Sequence, residues 1–514
     1  MTHDKSFAGP RIALATGYAG SNPYAAPQSL GFMPAARQRL QGAWQQAQSF
    51  YVHPLPLWVF YILYFLTTCN LIAVLTRMQR FVGTGERQMQ LFPFVVAGAF
   101  AIIFFFTKER AKGQYFWWAW TYWILYTLFG FAGEQQLTML SPVYISQGIV
   151  KSWISVIGFP WMMFRVISYD KSQRILWILM ACMVLGFAVM VLQILGLEAV
   201  DYFSVEKGRG SGLWINPNST GFMVTMCFFF SFLYKGKYQW LMWGLRGMML
   251  LMVMLTLSRT AFLGIVMGSI VASISTGKVG RAVAAGAGIF SILLGFLYFG
   301  VLVEQGVIPI ESKSVKTRIN SISGIITGRF TEENAMDNRT DLWQLHSQRI
   351  MDNNPILGLG HGSMDGGMEG MNRDFLSPHN EFIYLWGNSG AIALLVYLIF
   401  LTVIVYQAYT IPDISIRGPL MGAITMLFMT EMFGHSLFAN HYTGPIMAVL
   451  AYYLYYGHQF GRRGANIPLY RTPPVNRGVP VYASQSPNPP VPPRGSAPQA
   501  PTAAPVPNAN ASPA

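Results

Sequence analysis

Charged residues are scarce in this chain: Asp, Glu, Lys and Arg make up 11% of its 514 residues, whereas 53% are hydrophobic. A soluble domain carries about 25% charged residues, so this chain has too few to cover a water-facing surface. Apolar runs of about 17–25 residues recur, which is the length that crosses the hydrocarbon core as a helix. They do not alternate with a period of two, which favours helices over strands. The composition therefore predicts an all-α polytopic membrane protein.

Cysteine is also scarce, and the sequence offers little for a metal. Each of the three cysteines falls within an apolar run, so they are interpreted as small apolar fillers rather than a disulfide framework or metal pair: Cys69, Cys182 and Cys227. Glu431, His435 and His441 frame one loop, but their spacing is not the His-Glu-x-x-His of a zinc helix. We therefore predict neither a metal nor a cofactor.

The net charge of +14 raises the alternative of nucleic-acid binding. The basic residues, however, lie in the two tails and in short loops between apolar runs, as the positive-inside rule requires of loops on the cytoplasmic side. Loops of this set contain Lys108, Lys171, Lys235, Lys278 and Arg417. The first loop of the opposite set is an exception, with Arg77, Arg80 and Arg87 against Glu86. Most loops nevertheless place both termini in the cytoplasm, and the pattern argues against a nucleic-acid partner.

Three parts are predicted along the chain: a disordered cytoplasmic tail at 1–54, a transmembrane domain at 55–460, and a Pro-rich disordered cytoplasmic tail at 461–514. One long loop, 304–380, is expected on the outer side with short helices of its own. Within it, residues 340–351 have the spacing of an amphipathic helix on the membrane surface. About twelve spans are predicted: 57–76, 91–107, 115–132, 143–167, 174–196, 218–234, 238–257, 260–276, 282–303, 381–407, 417–433 and 440–457.

Two arginines on the predicted outer face suggest anion binding. Arg259 interrupts a long apolar stretch, where an arginine usually serves a pathway or a ligand; the alternative is a turn whose side chain reaches the headgroups. Arg339 opens the loop helix, where backbone N–H groups already favour an anion such as phosphate. The alternative for Arg339 is a surface ion pair with Asp337 or Asp341.

Further candidates flank these arginines. Gly358 and Gly360 permit tight turns and close approach of backbone to a ligand. His379 lies where the loop re-enters the membrane, followed by Asn380 and Glu381, and a histidine there can accept a proton near neutral pH. The alternative for His379 is a structural histidine.

A Gly-rich segment before the sixth predicted span, residues 208–218, is a weaker candidate that contains Arg209 and Asn218. Its alternative is an ordinary loop. Trp343 follows Arg339 by four residues, and we include it among the predicted substrate-binding residues.

Together these segments resemble the O-antigen ligase/polymerase superfamily of bacterial envelope glycosyltransferases over about residues 55–460. The motifs that carry the resemblance are Gly-Leu-Trp-Ile-Asn-Pro-Asn at 212–218, Ser-Arg-Thr at 258–260, Asn-Arg-Thr-Asp-Leu-Trp at 338–343, Asn-Pro-Ile-Leu-Gly-Leu-Gly at 354–360, and His-Asn at 379–380 followed by Gly387 and Gly390.

The resemblance implies an enzyme of the bacterial inner membrane that transfers a glycan from undecaprenyl diphosphate to a sugar hydroxyl on the periplasmic face. It implies that Arg259 and Arg339 bind the diphosphate and that His379 is the catalytic histidine. The residues of the motifs at 338–343 and 354–360 look more like those of exopolysaccharide polymerases than those of ligases, which join the glycan to lipid A core. Both functions, polymerase and ligase, stay open. Polysaccharide export or chain-length proteins are candidate partners.

A lipid-linked glycan transporter is the alternative from another class. It predicts internal repeats and helices interrupted at the middle of the bilayer. No clear repeat is visible, and the polar motifs cluster towards one face. The sequence therefore favours the enzyme.

Overall fold

The computed structural model describes residues 54–71, 91–108, 113–133, 142–195, 210–214, 216–277, 337–364, 377–434, 440 and 442–463, with six single residues between 288 and 305. These residues form helices and turns, and no strand occurs among them. The predicted all-α class is confirmed for this part of the chain. All described residues belong to one compact unit that ends at Ala465.

The helices follow the predicted apolar runs closely. Their bounds are α1 Pro54–Thr68, α2 Leu91–Phe106, α3 Gln114–Ala132, α4 Pro142–Trp153, α5 Phe159–Val166, α6 Tyr169–Ile194, α7 Pro217–Ser231, α8 Gln239–Thr256, α9 Arg259–Ser275, α10 Asp337–Asn353, α11 Glu381–Tyr409, α12 Ile414–Phe433 and α13 Thr443–Arg463. A π-helical turn, Ile154–Gly158, joins α4 to α5, and a short 3₁₀ turn, Gly212–Trp214, precedes α7.

Three segments of the described helices are long and apolar enough to cross a membrane: Gly148–Val166, Lys171–Ile194 and Glu381–Tyr409. Shorter apolar helices occur at Pro54–Thr68, Val95–Phe106 and Arg259–Ser275. These findings support a membrane protein, whereas the count of about twelve spans and the side on which the long loop lies stay predictions. The predicted span at 282–303 and both tails lie largely or wholly outside the described residues.

The helix predicted within the long loop is present as α10. It ends at Asn353, and Pro355 follows, whose ring disfavours helical geometry in the residue before it. α10 packs against α11. Ile350 of α10 is fully buried in a small cluster with Leu359, Met364 and Tyr384, so the helix docks onto the start of α11.

Small residues let the central helices approach closely. Gly264 of α9 faces Met426 of α12, and Gly268 of α9 lies against Phe229 of α7 and the carbonyl of Gly422 in α12. A side chain at either glycine would meet these atoms at less than contact distance. The three helices α7, α9 and α12 therefore form one tight group, and their ends are fixed relative to one another.

The cysteines are all buried and free, as expected of apolar fillers. The Sγ atoms of Cys69 and Cys182 are 2.8 Å apart, a proximity that their positions in the sequence did not indicate.

Candidate functional site

A cavity of about 110 Å³ lies where the N-terminal ends of α7, α9 and α11 meet the C-terminal end of α12. Its lining combines amides and hydroxyls with aromatic rings and one imidazole. The lining residues are Asn216, Asn218, Ser219, Phe222, Thr260, His379, Thr430, Phe433, Gly434, Asn440 and Tyr442. The positive ends of three helix dipoles thus approach one cavity whose lining is partly polar and partly apolar.

The wall formed by α7 follows from its Asn-Pro-Asn start. Asn216 caps the helix, because its Oδ1 accepts a hydrogen bond of 2.8 Å from the backbone N–H of Asn218. Pro217 follows at the first helical position. A backbone N–H there would have no partner within the helix, so the lack of one in proline costs no hydrogen bond. Asn218 is exposed and lines the cavity with Ser219. The predicted site residue Asn218 therefore reaches the cavity.

The wall formed by α9 begins with a sharp turn. Leu257 adopts a left-handed conformation with φ of 51°, and the Ser258 side chain then caps the helix by accepting a hydrogen bond of 3.4 Å from the N–H of Ala261. Arg259 is the first helical residue and is half-buried, and its neighbour Thr260 lines the cavity. Arg259 is therefore held at the helix end that opens onto the cavity.

Close packing brings the N-terminal ends of α7 and α9 side by side. Gly221 of α7 leaves so little room that an added Cβ would lie 2.5 Å from the Cβ of Ala261 and 3.2 Å from that of Ser258. The two N-terminal ends are consequently in contact. This proximity joins two predicted motifs, residues 212–218 and 258–260, that are separate in the sequence.

His379 enters the cavity from the turn that precedes α11. It is half-buried and has φ of 49°, an uncommon conformation for a residue with a side chain. Asn380 caps α11 by accepting a hydrogen bond of 3.1 Å from the N–H of Ile383. The Nδ2 of Asn380 also donates to the carbonyl of Met432, 3.3 Å away in α12. Asn380 thus fixes the position of His379 against the end of α12, and neither Asn380 nor Glu381 lines the cavity.

The helix α10 approaches the cavity through Trp343. Its ring centroid is 6.4 Å from that of Phe433, which lines the cavity. The backbone of Arg339 lies in the first turn of α10, one helical turn before Trp343. The side chain of Arg339 and the whole of Arg209 lie outside the described residues.

The glycines of the 354–360 motif pack backbone against backbone. Gly358 has φ of 82°, and an added Cβ would lie 2.5 Å from the amide nitrogen of Gly390, where α11 is kinked. Gly360 has φ of 94°, and an added Cβ there would come within 3.5 Å of the carbonyl oxygen of Gly130 in α3. Neither glycine lines the cavity. Their contact with a substrate stays a prediction, and the structure gives them a packing role.

One buried histidine was missed by the sequence reasoning. His361 is 5% exposed, its backbone N–H donates to the carbonyl of Gly130 over 3.0 Å, and its ring lies edge-on to Tyr126 with centroids 4.7 Å apart. Burial lowers the pKa of His361 to about 4, which keeps the imidazole neutral.

The residues of the weak metal alternative do not form a described cluster. Glu431 is fully buried and accepts a hydrogen bond from the hydroxyl of Tyr397, while His435 and His441 lie outside the described residues. Within the described part of the chain, no group of three or more metal-ligating side chains is found. The absence of a metal stays a prediction.

Several cavity residues carried no signal in the sequence. Asn216 and Thr260 stand within quoted motifs, whereas Thr430, Asn440 and Tyr442 lie beside Glu431 and His441, which were considered only as metal ligands. The π-helical turn helps to hold Asn440 in place, because the hydroxyl of Ser155 donates a hydrogen bond of 3.4 Å to the carbonyl of Asn440. Such turns are frequent at functional sites.

Comparison with known families covers four of the five motifs, and the motif at 212–218 lies outside the match. Residues 244–398 match the family model described as O-Antigen ligase. This segment includes α9 with Arg259, the helix α10, the 354–360 motif, and His379 with most of α11. The predicted resemblance to the O-antigen ligase/polymerase superfamily is confirmed over this segment. No curated protein matches the chain.

Proposed function

We propose that this chain, whose residues 244–398 match the O-antigen ligases, is a metal-independent polymerase of lipid-linked glycans in the bacterial inner membrane. It transfers glycan repeat units from undecaprenyl diphosphate to a sugar hydroxyl on the periplasmic face, for exopolysaccharide or O-antigen synthesis. One observation supports this most: His379 and Thr260, the neighbour of Arg259, line the same cavity although they are far apart in the sequence.

The donor end of the reaction requires binding of a diphosphate. A helix N-terminus presents free N–H groups and the positive end of its dipole to an anion, and three such ends border the cavity. Arg259 and Arg339 add guanidinium groups, which match phosphate oxygens with paired hydrogen bonds. Because negative charge grows on the diphosphate as it leaves, these groups lower the barrier by binding the transition state more tightly.

The acceptor end requires a base. His379 takes the proton of the acceptor hydroxyl as the oxygen attacks the anomeric carbon. The amides and hydroxyls of the lining, Asn218 among them, suit the hydroxyl groups of a sugar, and Trp343 beside the lining residue Phe433 suits its apolar ring face. Asn380 and Glu381 hold the histidine at the start of α11.

The ligase alternative has one specific observation in its favour, the description of the matching family. In that reaction the acceptor is lipid A core instead of another repeat unit. The same cavity, base and diphosphate contacts serve both reactions, so the acceptor alone separates them.

The proposal places the catalytic machinery in the transmembrane domain, residues 55–460, with the 304–380 loop in the periplasm. Both tails then lie in the cytoplasm. Partners would be membrane lipid and polysaccharide export or chain-length proteins.

Deletion of the gene tests the function. We expect secreted polysaccharide or O-antigen polymer to disappear and single lipid-linked repeat units to accumulate. Restoration by the intact gene but not by His379→Ala, at equal protein level in the membrane, supports the proposal. Full-length lipid-linked polymer that accumulates without transfer to lipid A core identifies the ligase instead. Normal glycans in the deletion strain contradict both.

Arginine substitutions test the diphosphate contacts. Arg339→Lys is expected to lower the rate nearly as much as Arg339→Ala, because a lysine cannot make paired contacts. Loss of one such contact typically lowers a rate by about 10²–10³-fold. Arg174→Ala, at an exposed position at the start of α6, is the matched control and should leave the rate unchanged. A fully active Arg339→Lys variant would indicate that Arg339 is a surface charge and does not bind the diphosphate.

A further inference from the structure

A single glutamine of α6 lies buried against the segment that leads into α7. From residue 175 to its end, α6 has no charged residue, and Gln193 is its one amide side chain. Gln193 is 7% exposed. Burying an amide costs free energy unless the amide is hydrogen-bonded. A buried glutamine in an apolar helix therefore indicates a specific set of partners.

The partners of Gln193 are groups of the segment 210–214. Its Oε1 accepts hydrogen bonds from two successive backbone N–H groups, that of Ser211 over 3.0 Å and that of Gly212 over 2.9 Å. Its Nε2 donates to the carbonyl of Gly212 over 3.4 Å. Successive N–H groups that point to one place form a concavity that binds anions. Here the amide oxygen of Gln193 occupies that place, so these two N–H groups are not offered to a substrate.

Two glycines bring this segment against α6. Gly186 lies about two helical turns before Gln193, and an added Cβ there would lie 2.5 Å from the ring of Trp214. Gly212 has φ of 52°, and an added Cβ there would lie 2.8 Å from the carbonyl oxygen of Gly186. The segment therefore packs on the backbone of α6, and Gln193 bonds to it where the helix ends.

The same segment is bonded to both neighbouring walls of the cavity. The hydroxyl of Thr220 in α7 donates to the carbonyl of Ser211. The N–H of Gly210 donates to the carbonyl of Leu255 over 3.2 Å. Leu255 lies near the end of α8, just before the turn that leads to Arg259. The contacts of the segment thus reach the N-terminal end of α7 and the turn into α9.

We propose that Gln193 is a positioning residue that, by holding the segment 210–214, fixes the N-terminal ends of α7 and α9 at the cavity. Gln193 does not line the cavity, so it acts through Asn218 and Arg259 and not by contact with a substrate. Misplacement of a binding group by about 1 Å can slow a reaction by about 10²-fold. The effect on glycan transfer rests on the function proposed above, whereas the effect on the segment does not.

Gln173, at the other end of α6, provides the matched control. Its Oε1 accepts a hydrogen bond of 3.0 Å from the N–H of Lys235, shortly after α7, and its Nε2 donates to the hydroxyl of Tyr453 over 3.3 Å. The two glutamines thus share one helix and one kind of contact. Gln173, however, lies at the end of α7 that is remote from the cavity.

Amide hydrogen exchange of the full chain in detergent, measured by mass spectrometry, tests the contact. Methionine keeps the length of glutamine but not its amide, so Gln193→Met should speed exchange in peptides that cover Ser211 and Gly212 by about tenfold or more. Gln193→Glu keeps an accepting oxygen and should exchange more slowly than Gln193→Met. Gln173→Met should leave exchange at Ser211 and Gly212 unchanged. Unchanged exchange in Gln193→Met, or equally fast exchange in Gln193→Glu, overturns the inference.

Glycan transfer by the same variants tests the effect on the cavity. We expect Gln193→Met to raise the KM for the lipid-linked donor and to lower kcat/KM by about 10–10²-fold, and Gln173→Met to match the unsubstituted protein. A variant that only unfolds more readily loses active molecules, which lowers the rate without a change in KM. A lower rate of Gln193→Met at an unchanged KM, or an unchanged rate, therefore overturns the positioning role. If the unsubstituted protein transfers no glycan, the proposed function fails, whereas hydrogen exchange still decides whether Gln193 holds the segment.

Discussion

Substitution of Gly358 by alanine should dislodge the loop that carries α10 from the helix that carries His379. Gly358 has φ of 82°, and its missing side chain leaves room for the kink of α11. An added Cβ would lie 2.5 Å from the nitrogen of Gly390, 2.8 Å from that of Ser389 and 2.8 Å from the oxygen of Gly387. All three are backbone atoms, so no side chain can rotate away to relieve the contact.

The magnitude follows from two contributions. A left-handed conformation costs a residue with a side chain about 1–2 kcal/mol, and forcing an extra carbon into a packed site costs about 1–3 kcal/mol. Together they predict a loss of about 2–5 kcal/mol in the free energy of unfolding. The neighbouring hydrogen bond of 2.6 Å from the N–H of Leu359 to the carbonyl of Gly387 should be lost first.

Unfolding of the purified protein in detergent, followed by tryptophan fluorescence, measures this loss. The control is Gly244→Ala in α8, where an added Cβ meets nothing within 4 Å and alanine favours the helix. We expect Gly358→Ala to unfold at clearly lower temperature and Gly244→Ala to match or exceed the unsubstituted protein. Equal stability of the two variants would refute the packing role of Gly358.

Three further predictions concern acid, a buried arginine and metals. Burial lowers the pKa of His361 to about 4 in the folded protein. This histidine should therefore lower the free energy of unfolding by up to about 3 kcal/mol as the pH falls from 6.5 towards 4. If the stability of His361→Gln fell as steeply with acid, the prediction would be contradicted. Arg246→Lys should lower the unfolding temperature, because Arg246 donates to the Oγ of Ser231 at 2.9 Å and to its carbonyl at 2.8 Å and lies over the rings of Phe232 and Trp243. A lysine cannot reproduce this geometry, and unchanged melting would assign the arginine a lesser role. Treatment with a chelator should leave glycan transfer intact, and a loss that a divalent ion restores would disprove metal independence.

Helix positions were largely predictable because a bilayer imposes a simple rule on sequence. Each described helix of the predicted spans falls within a few residues of an apolar run, and α10 ends at the residue before Asn354-Pro355 as its pattern indicates. The interruption of α4–α5 by a π-helical turn was not predictable, since residues 154–158 are as compatible with an α-helix as their neighbours.

The cavity was predictable only in part. His379 and Asn218 were expected at a site and line it, and Arg259 lies beside it. Asn440 and Tyr442 were not found, because a short polar segment before a helix has no periodic or spacing signal of its own and its neighbours in space are remote in sequence. The glycine motif at 354–360 was also ambiguous: turns that approach a ligand and turns that approach a backbone, as at Gly358, require the same conformational freedom.

The structure of the protein bound to undecaprenyl diphosphate tests the central claim most directly. The account predicts the diphosphate in the cavity between the N-terminal ends of α7, α9 and α11, with guanidinium groups of Arg259 and Arg339 at hydrogen-bond distance and the imidazole of His379 facing the position of the acceptor hydroxyl. A diphosphate bound elsewhere, or the two arginines directed away from it, would contradict the account.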